Sequence, residues 1–544
     1  METNFSPEFL RALKDKYLQS HKRARSAFYQ QTANMLLTPA QMREMERRYM
    51  EESGVASIDL MERAARALTD ALLQRFGADR TIFFACGPGG NGGDGLAAAR
   101  LYQEAGGRAA FALCGEVKSP DAVENLRRAR EAGVREIDMD GGERPDVWVD
   151  ALFGTGLSRA LSGEALDFVG RINSDRARGS RVVAVDIPSG VSGLSGGGPD
   201  GETDEDEDFV RADVTITFQR PKVGHYLDFG LVATGELAVA DIGIPAEYLP
   251  KKEIVYLYEG PASFRGYTFP RNTHKGDRGH VLIVAGSMGM AGAAALCAGA
   301  ALRCGAGLVT VACPASIVPI LQVLEPCAMC VPLPEKDGAL SAEAAASLRE
   351  LARDKDSIAI GPGLSRRCAP EVLEAVLESK QYGKLRPPTV IDADALNLLA
   401  AHPELQVLLD RQCLLTPHPG EARRLLGREM TDLVSDARAL AALGAGVVLK
   451  SASRAICASP ESPVAISATG CSGMAKGGSG DVLTGMLAGM ARTAREPARV
   501  CELHGMAGVL AEEKYGNACM TSRDLLEMLP EAFRRLAARR EEQP

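Results

Sequence analysis

From about residue 80 onward the chain alternates short apolar runs with longer helical stretches. Thr81–Cys86, 147–149, Arg181–Val185 and Val214–Phe218 are rich in β-formers, and segments such as 96–104 lie between them. Apolar runs without polar alternation suit strands buried on both faces, and strands separated by helices suit βαβ units. A proline-punctuated stretch, 245–270, breaks the rhythm, which resumes at 281–285, 308–312, Ser357–Ile360, Thr389–Ile391 and 447–450. The pattern predicts an α/β protein with two mainly parallel sheets, and no short-period repeat points to a solenoid. Upstream, Thr38-Pro39-Ala40-Gln41 predicts a helix start, with a hydroxyl N-cap and proline at the first helical position.

At 544 residues the chain exceeds the roughly 250–300 residues at which single cores stop growing. The expected organisation is an extension over 1–34, a domain over 35–250, a linker over 251–269, a second domain over 270–535 and a tail over 536–544. The net charge of −9 argues against a nucleic-acid partner, although backbone N–H groups can still hold a small phosphate-bearing molecule. No run reaches the roughly 18–20 apolar residues that span a bilayer. The richest, 291–302, is short and made of small residues, as in a packed helix. The absence of an apolar leader and thirteen scattered cysteines point to a reducing cytoplasm. Cys327 and Cys330 form a lone C-x-x-C without two further ligands, so buried thiols are expected. The acids Asp200, Glu202 and 204–208 fit no calcium-loop spacing and read as a solvated loop.

The strongest local signal in the first half is Cys86-Gly87-Pro88-Gly89-Gly90-Asn91-Gly92-Gly93-Asp94-Gly95, between a strand and a helix. Glycines let the backbone turn tightly there, and the helix N-terminus offers free N–H groups to phosphate. A dinucleotide turn alone leaves Asn91 and Asp94 unexplained. Two more strands end in polar clusters: Asp150 precedes Ala151-Leu152-Phe153-Gly154-Thr155-Gly156-Leu157-Ser158-Arg159, and Asp186 precedes Ile187-Pro188-Ser189-Gly190. In a doubly wound sheet these ends meet in one crevice. Asn91, Asp150 and Ser189 would offer oxygen ligands to a hard cation. Lys222, after Arg220-Pro221, is open to two readings, a surface lysine or a partner in the chemistry.

On these three motifs residues 38–250 resemble the YjeF N-terminal domain, the NAD(P)H-hydrate epimerase family. The resemblance implies a Rossmann-like three-layer αβα fold and a potassium ion held by Asn91, Asp150 and Ser189. It implies substrate contacts from Gly90, Asn91, Gly92, Gly93, Asp94, Gly154, Thr155, Gly156, Leu157, Ser158, Arg159, Ala160 and Asp186. The family usually has a second asparagine where this chain has Gly90. In a hydrated nicotinamide the ring nitrogen helps expel a hydroxyl, and water returning on the other face inverts the centre. Asp186 is the expected proton-transfer group.

The second half carries Gly473-Met474-Ala475-Lys476-Gly477-Gly478-Ser479-Gly480-Asp481-Val482-Leu483-Thr484-Gly485. A glycine run opening a helix makes an anion hole, and Asp481 beside it can take a proton from an attacking hydroxyl. This signature resembles the ribokinase-like superfamily. His274-Lys275-Gly276-Asp277-Arg278-Gly279-His280, Ala285-Gly286-Ser287, Gly361-Pro362-Gly363, Asp392-Ala393-Asp394-Ala395-Leu396 and Leu415-Thr416-Pro417-His418-Pro419-Gly420-Glu421 narrow it to the YjeF C-terminal NAD(P)H-hydrate dehydratases. That resemblance implies a second αβα domain, substrate contacts from Ala293, Gly363, His418 and Asp481, and nucleotide contacts from Lys450, Ser451, Ala452, Ser453, Arg454 and Gly480. Ser451 and Ser365 stand where the family commonly has glycine. ADP or ATP would phosphorylate the substrate hydroxyl, which the ring nitrogen then expels, with magnesium bridging the phosphates. The expected protein is a cytoplasmic homo-oligomer that acts on NADHX and NADPHX, epimerising both forms and dehydrating the S form, with no nucleic-acid or membrane partner. The alternatives are a vitamin or sugar kinase with an accessory domain and a non-enzymatic adaptor.

Overall fold

The computed structural model describes residues 34–538, apart from 140, 199–207, 259–268, 380–385 and 494–495. Residues 1–33 of the expected extension over 1–34, the acids at 200–207 and residues 539–544 lie outside the described residues.

The first half is built on a seven-stranded sheet in the spatial order 135–136, Arg108–Leu113, Thr81–Cys86, Val147–Ala151, Arg181–Val185, Val214–Phe218 and Glu236–Ala240. Every pairing in it is parallel. The missing polar alternation has a simple cause. Ile82, Phe84 and Cys86 enter one apolar cluster while Phe83 and Ala85 enter another on the opposite face. Strand order reverses between Thr81–Cys86 and Val147–Ala151, and the Gly87–Asp94 turn and Asp150 fall at that switch point. Helix Pro39–Ser53 begins as predicted. Gln41 N–H donates to Thr38 Oγ1 at 3.1 Å, and Thr38 N–H donates to Gln41 Oε1 at 3.0 Å.

The second half holds an eleven-stranded mixed sheet. Seven of its strands, Gly446–Ser451, Cys413–Leu415, Thr389–Ile391, Ser357–Ile360, His280–Val284, Leu308–Pro314 and Met329–Leu333, are neighbours in that order and run parallel. Arg454–Ala458 and Val464–Ser467 extend it antiparallel. The small-residue stretch near 291 is the packed helix Ala291–Arg303. Among the described residues no helix is long and apolar enough to cross a membrane.

Two expectations need correction. Residues 255–258, expected as linker, form a strand parallel to Val464–Ser467, and Met35–Leu36 pairs antiparallel with them. Leu37 then bridges Lys222 in the first half, with its N–H on Pro221 O at 2.9 Å. Leu36, Val223 and Leu227 share one apolar cluster with Val255, Leu257, Val464 and Ile466, so the halves are clasped by backbone pairing and by core. The C-x-x-C thiols are not buried: Cys327 is exposed and Cys330 half-buried, because Met329–Leu333 is the edge strand of the sheet.

Candidate active sites

The crevice of the first sheet has a volume of about 450 Å³. Gly90, Asn91, Asp94, Asp186 and the whole loop from Gly154 to Arg159 line it, joined by Met42, Glu46 and Phe218. Gly92 and Gly93 face elsewhere. A Cβ on Gly92 would lie 1.9 Å from Gly87 O, and one on Gly93 would lie 2.8 Å from the Met61 side chain. These two glycines serve close packing, and only their backbone faces the turn. Ala160 is not among the lining residues.

Asp186 takes a left-handed backbone, φ 65°, uncommon for a residue with a side chain. The conformation is held from several sides. Buried Lys222 donates from Nζ to Asp186 Oδ1 at 2.5 Å, and Thr217 Oγ1 donates to the same oxygen at 2.9 Å. Lys222 N–H donates to His225 Nδ1 at 3.0 Å, which leaves Nε2–H to donate to Asp186 O at 2.9 Å. Burial alone would raise the Asp186 pKa, yet the Lys222 charge and hydrogen bond bring it below the usual carboxylate value. Burial first, then the Lys222 charge, lowers His225 to about 4, so the ring is neutral. Lys222 is therefore a partner of Asp186 and not a surface lysine.

Beneath the crevice Asp150 is fully buried. Ser189 Oγ–H donates to its Oδ1 at 2.6 Å, and Ser189 N–H donates to its Oδ2 at 2.8 Å. Burial raises Asp150 to about 6 against those hydrogen bonds, and among the described residues no cation pairs with it. The Asn91 Nδ2 atom is buried without a hydrogen-bond partner. Its amide rests against Gly154, where a Cβ would stand 3.0 Å from Asn91 Oδ1.

Sequence reasoning missed Glu46. It lines the crevice from helix Pro39–Ser53, and burial, with Asp186 adding and Lys222 opposing, raises its pKa to about 7. The signal was present: Met42, Met45 and Tyr49 form the buried stripe of that helix, and Glu46 occupies the remaining i+4 place in it.

The second cleft, about 510 Å³, gathers His418, Lys450, Ser451, Ala452, Ser453, Arg454, Gly480 and Asp481. Gly478, at φ 95°, is the N-cap of helix Ser479–Met490, and Gly478, Ser479 and Gly480 line the cleft. Asp481 stands in that first turn. Burial and then the charge of Asp392 raise it to about 6, with Lys450 opposing. Lys450 itself is engaged elsewhere: Nζ donates to Asp392 Oδ1 at 2.8 Å, while Thr484 Oγ1 donates to Asp392 Oδ2 at 2.7 Å. Burial disfavours the Lys450 charge, but Asp392 and Glu421 more than restore it. His418 caps helix Pro419–Leu426 by accepting Gly420 N–H at Nδ1, 3.0 Å. Burial first, then Lys450, keeps its pKa below the ordinary histidine value.

Ala293 and Gly363 do not line this cleft. Gly363, φ 61°, closes the turn after Ser357–Ile360, and a Cβ on it would meet Ala293 Cβ at 3.0 Å. They sit together at the carboxyl edge where the second sheet reverses its strand order, between Ser357–Ile360 and His280–Val284. Ser365, in place of a family glycine, keeps φ 70° and donates its N–H to Asp394 Oδ2 at 2.8 Å. Asp392, Thr484 and Glu421 are further polar groups of the site that no motif singled out individually.

Two family descriptions match the chain: YjeF-related protein N-terminus over residues 57–224, and NAD(P)H-hydrate dehydratase over 281–531. A bifunctional NAD(P)H-hydrate repair enzyme of Moorella thermoacetica is 36% identical over 92% of this chain and 97% of its own. One from Escherichia coli is 32% identical over 90% of this chain and 92% of its own. Among solved structures, the ADP/ATP-dependent NAD(P)H-hydrate dehydratase from Bacillus subtilis, co-crystallised with ATP and Mg²⁺, is 26% identical. It covers 52% of this chain and 98% of its own, with a TM-score of 0.42. The chain belongs to the family of bifunctional NAD(P)H-hydrate repair enzymes, and it is an enzyme with an epimerase half and a dehydratase half.

Proposed function

We propose that the crevice of the first sheet interconverts the R and S forms of NADHX and NADPHX, and that the second cleft dehydrates the S form with ADP or ATP. The observation that carries this reading is a carboxylate equipped for proton transfer in each cleft: Asp186, ionised by Lys222, and Asp481 at a helix N-terminus. Asp186 takes the proton of the water that adds to the ring. The Gly90 backbone and the Asn91 and Asp94 side chains, with the 154–159 loop, hold the phosphates and ribose.

Asn91, Asp150 and Ser189 are the ligands proposed for potassium. A fully buried carboxylate with no cation partner among the described residues supports an ion there. One carboxylate, one amide and one hydroxyl supply hard oxygens of single charge, which suits a monovalent ion better than a divalent one. The ion would screen Asp150 and fix the loops that carry Asn91 and Ser189.

In the second cleft Asp481 accepts the hydroxyl proton, and the Gly478–Gly480 backbone with Lys450 faces the transferring phosphoryl group. Lys450, Ser451, Ala452, Ser453, Arg454 and Gly480 hold the nucleotide. Ala293, Gly363 and His418 are proposed for the substrate. Magnesium would be carried on the nucleotide phosphates and waters, with Asp392, Glu421 and Asp481 the carboxylates of the cleft lining. A homo-oligomer in the cytoplasm is the proposed setting.

The test uses a mixed sample of chemically hydrated NADH with ADP or ATP, followed by the return of dihydronicotinamide absorbance. Asp186→Asn should repair one epimer at the normal rate and then stall, and adding Asp481→Asn protein should restore full repair. A folded Asp186→Asn protein that clears both epimers at the normal rate overturns the assignment. A stable phosphorylated product in place of dihydronicotinamide would favour a kinase.

A further inference from the structure

We infer that Glu46 is a second catalytic residue of the epimerase, acting on the face of the nicotinamide ring opposite to Asp186. The inference rests on the reading of Asp186 given above. Inversion at the hydrated carbon demands chemistry on both faces: a hydroxyl must leave from one side and water must enter from the other. One carboxylate fixed by Lys222, Thr217 and a strained backbone serves one side only.

Glu46 is the group assigned to the other side. It comes from helix Pro39–Ser53, a different element from the strand end that carries Asp186, and it lines the same crevice. The helix is fixed against the rim, since Arg43 Nη1 donates to Thr155 O at 3.3 Å. On that helix Glu44, Glu51 and Glu52 each pair with an arginine, whereas Glu46 has no ion pair or hydrogen bond among the described residues. Lys222, Asp186, Asp94 and Arg43 are the charged groups that face it. A carboxyl on the apolar stripe of a helix, lining a ligand cleft and without an ion pair or hydrogen bond among the described residues, has chemistry as its remaining use.

The protonation states complement each other. Burial raises Glu46 to about 7, while Lys222 holds Asp186 below its ordinary value. Two carboxyls whose environments drive them apart divide into an acid and a base. Asp94 is also raised, by burial first and then by Asp186 and Glu46, and its own variant separates it from Glu46 below.

The step balances. Glu46 gives its proton to the hydroxyl oxygen, the carbon–oxygen bond breaks, and the nitrogen lone pair forms a carbon–nitrogen double bond as water leaves. A water on the opposite face adds to the carbon, the π pair returns to nitrogen, and Asp186 takes the proton. Glu46 is then ionised and Asp186 protonated, which is the state that accepts the other epimer. No electron donor or acceptor is needed.

The experiment supplies each purified epimer separately in ¹⁸O-labelled water and reads configuration and label. The wild type should invert both with uptake of label. Glu46→Gln should slow inversion about 10²–10⁴-fold in both directions. One epimer alone, whose hydroxyl faces Asp186, should still take up label with retained configuration. Asp186→Asn should show the same retention for the opposite epimer. Glu46→Asp, which restores a carboxyl, should recover part of the inversion, and the dehydratase activity of each variant reports that the chain is folded. Glu46→Gln inverting at the wild-type rate overturns the proposal, as does equal loss of exchange for both epimers. If Asp94→Asn gives the one-epimer pattern instead, Glu46 is not the second group. Wild-type inversion by Asp186→Asn would overturn the Asp186 reading itself and is distinguishable from all of these.

Discussion

Each half of the molecule buries one lysine against one aspartate, but the two pairs serve their sites differently. In the first crevice Lys222 sits on Asp186, the carboxylate proposed to move protons, at 2.5 Å. In the second cleft Lys450 sits on Asp392 at 2.8 Å, and among the described residues Asp481 has no such partner. Asp186 consequently falls below the ordinary carboxylate value, whereas Asp481 is raised to about 6, first by burial and then by the neighbouring charge of Asp392. A base for a poorly acidic hydroxyl works best with a pKa close to the working pH, which describes Asp481. A base that receives a proton from water adding to a reactive ring needs above all to be ionised. A lysine in contact achieves the second condition, and a lysine one residue removed permits the first.

Removing the lysines should break the comparison most strongly. Lys222→Met leaves Asp186 buried without its counter-charge, and breaking a buried pair costs about 3–5 kcal/mol. Epimerisation should fall about 10²–10⁴-fold as Asp186 gains a proton, while dehydration of the S epimer persists in folded protein. Lys450→Met should act on the other activity, and partly by titration. Lys450 lowers Asp481, so its loss moves the Asp481 pKa upward and carries the acid limb of dehydration to higher pH. Rate profiles of both activities on each variant check this. An epimerase profile that shifts with Lys450→Met would break the independence of the two sites.

In the unaltered protein the same contrast predicts pH dependence. A base works only when ionised, so dehydration kcat/KM should fall below pH about 6, roughly tenfold per unit, as Asp481 takes up a proton. Asp186, held lower by Lys222, loses its ionised form only at more acid pH. Between these limits the protein should still epimerise while it no longer dehydrates. Initial rates on separated epimers from pH 4.5 to 8 would reveal the window, and coincident acid limbs would contradict the difference between the two aspartates.

What was legible in the sequence divides along the same physical line. Strands buried on both faces announce themselves as unbroken apolar runs, so Thr81–Cys86 and Val214–Phe218 were read with their bounds. Glycine turns and strand-end acids such as Asp94, Asp150 and Asp186 could be read because local chemistry demands those residue types. Pairings across long stretches of chain leave no local trace. Met35–Leu36 has two residues and Val255–Tyr258 four, and their place in the second sheet depends on partners more than 200 residues away. Lys222 looked equally suited to the surface because its partner, Asp186, arrives from 36 positions earlier. Glu46 was hidden for the opposite reason: a glutamate among arginines reads as a solvated helix face until the buried stripe around it is traced.

The smallest effect concerns the helix that carries Glu46. Thr38 closes a full capping box at its start, and Asp432 caps helix Leu433–Ala441 in the second half by accepting Val434 N–H at 3.1 Å and Ser435 N–H at 2.9 Å. Replacing either cap by alanine should cost about 1 kcal/mol of stability, since each leaves helix N–H groups without their acceptor. The two substitutions are matched in energy and differ in what their helices hold. Helix Pro39–Ser53 presents Met42 and Glu46 to the first crevice, whereas no residue of Leu433–Ala441 lines the second cleft. Thr38→Ala should therefore lower epimerase kcat by a small factor, with dehydration unchanged, and Asp432→Ala should lower the melting temperature alone. Thermal melts with both activities measured on each variant decide it. If Thr38→Ala and Asp432→Ala destabilise equally and neither changes epimerisation, the start of the Glu46 helix is only a stability element, and the geometry of the crevice does not depend on how that helix begins.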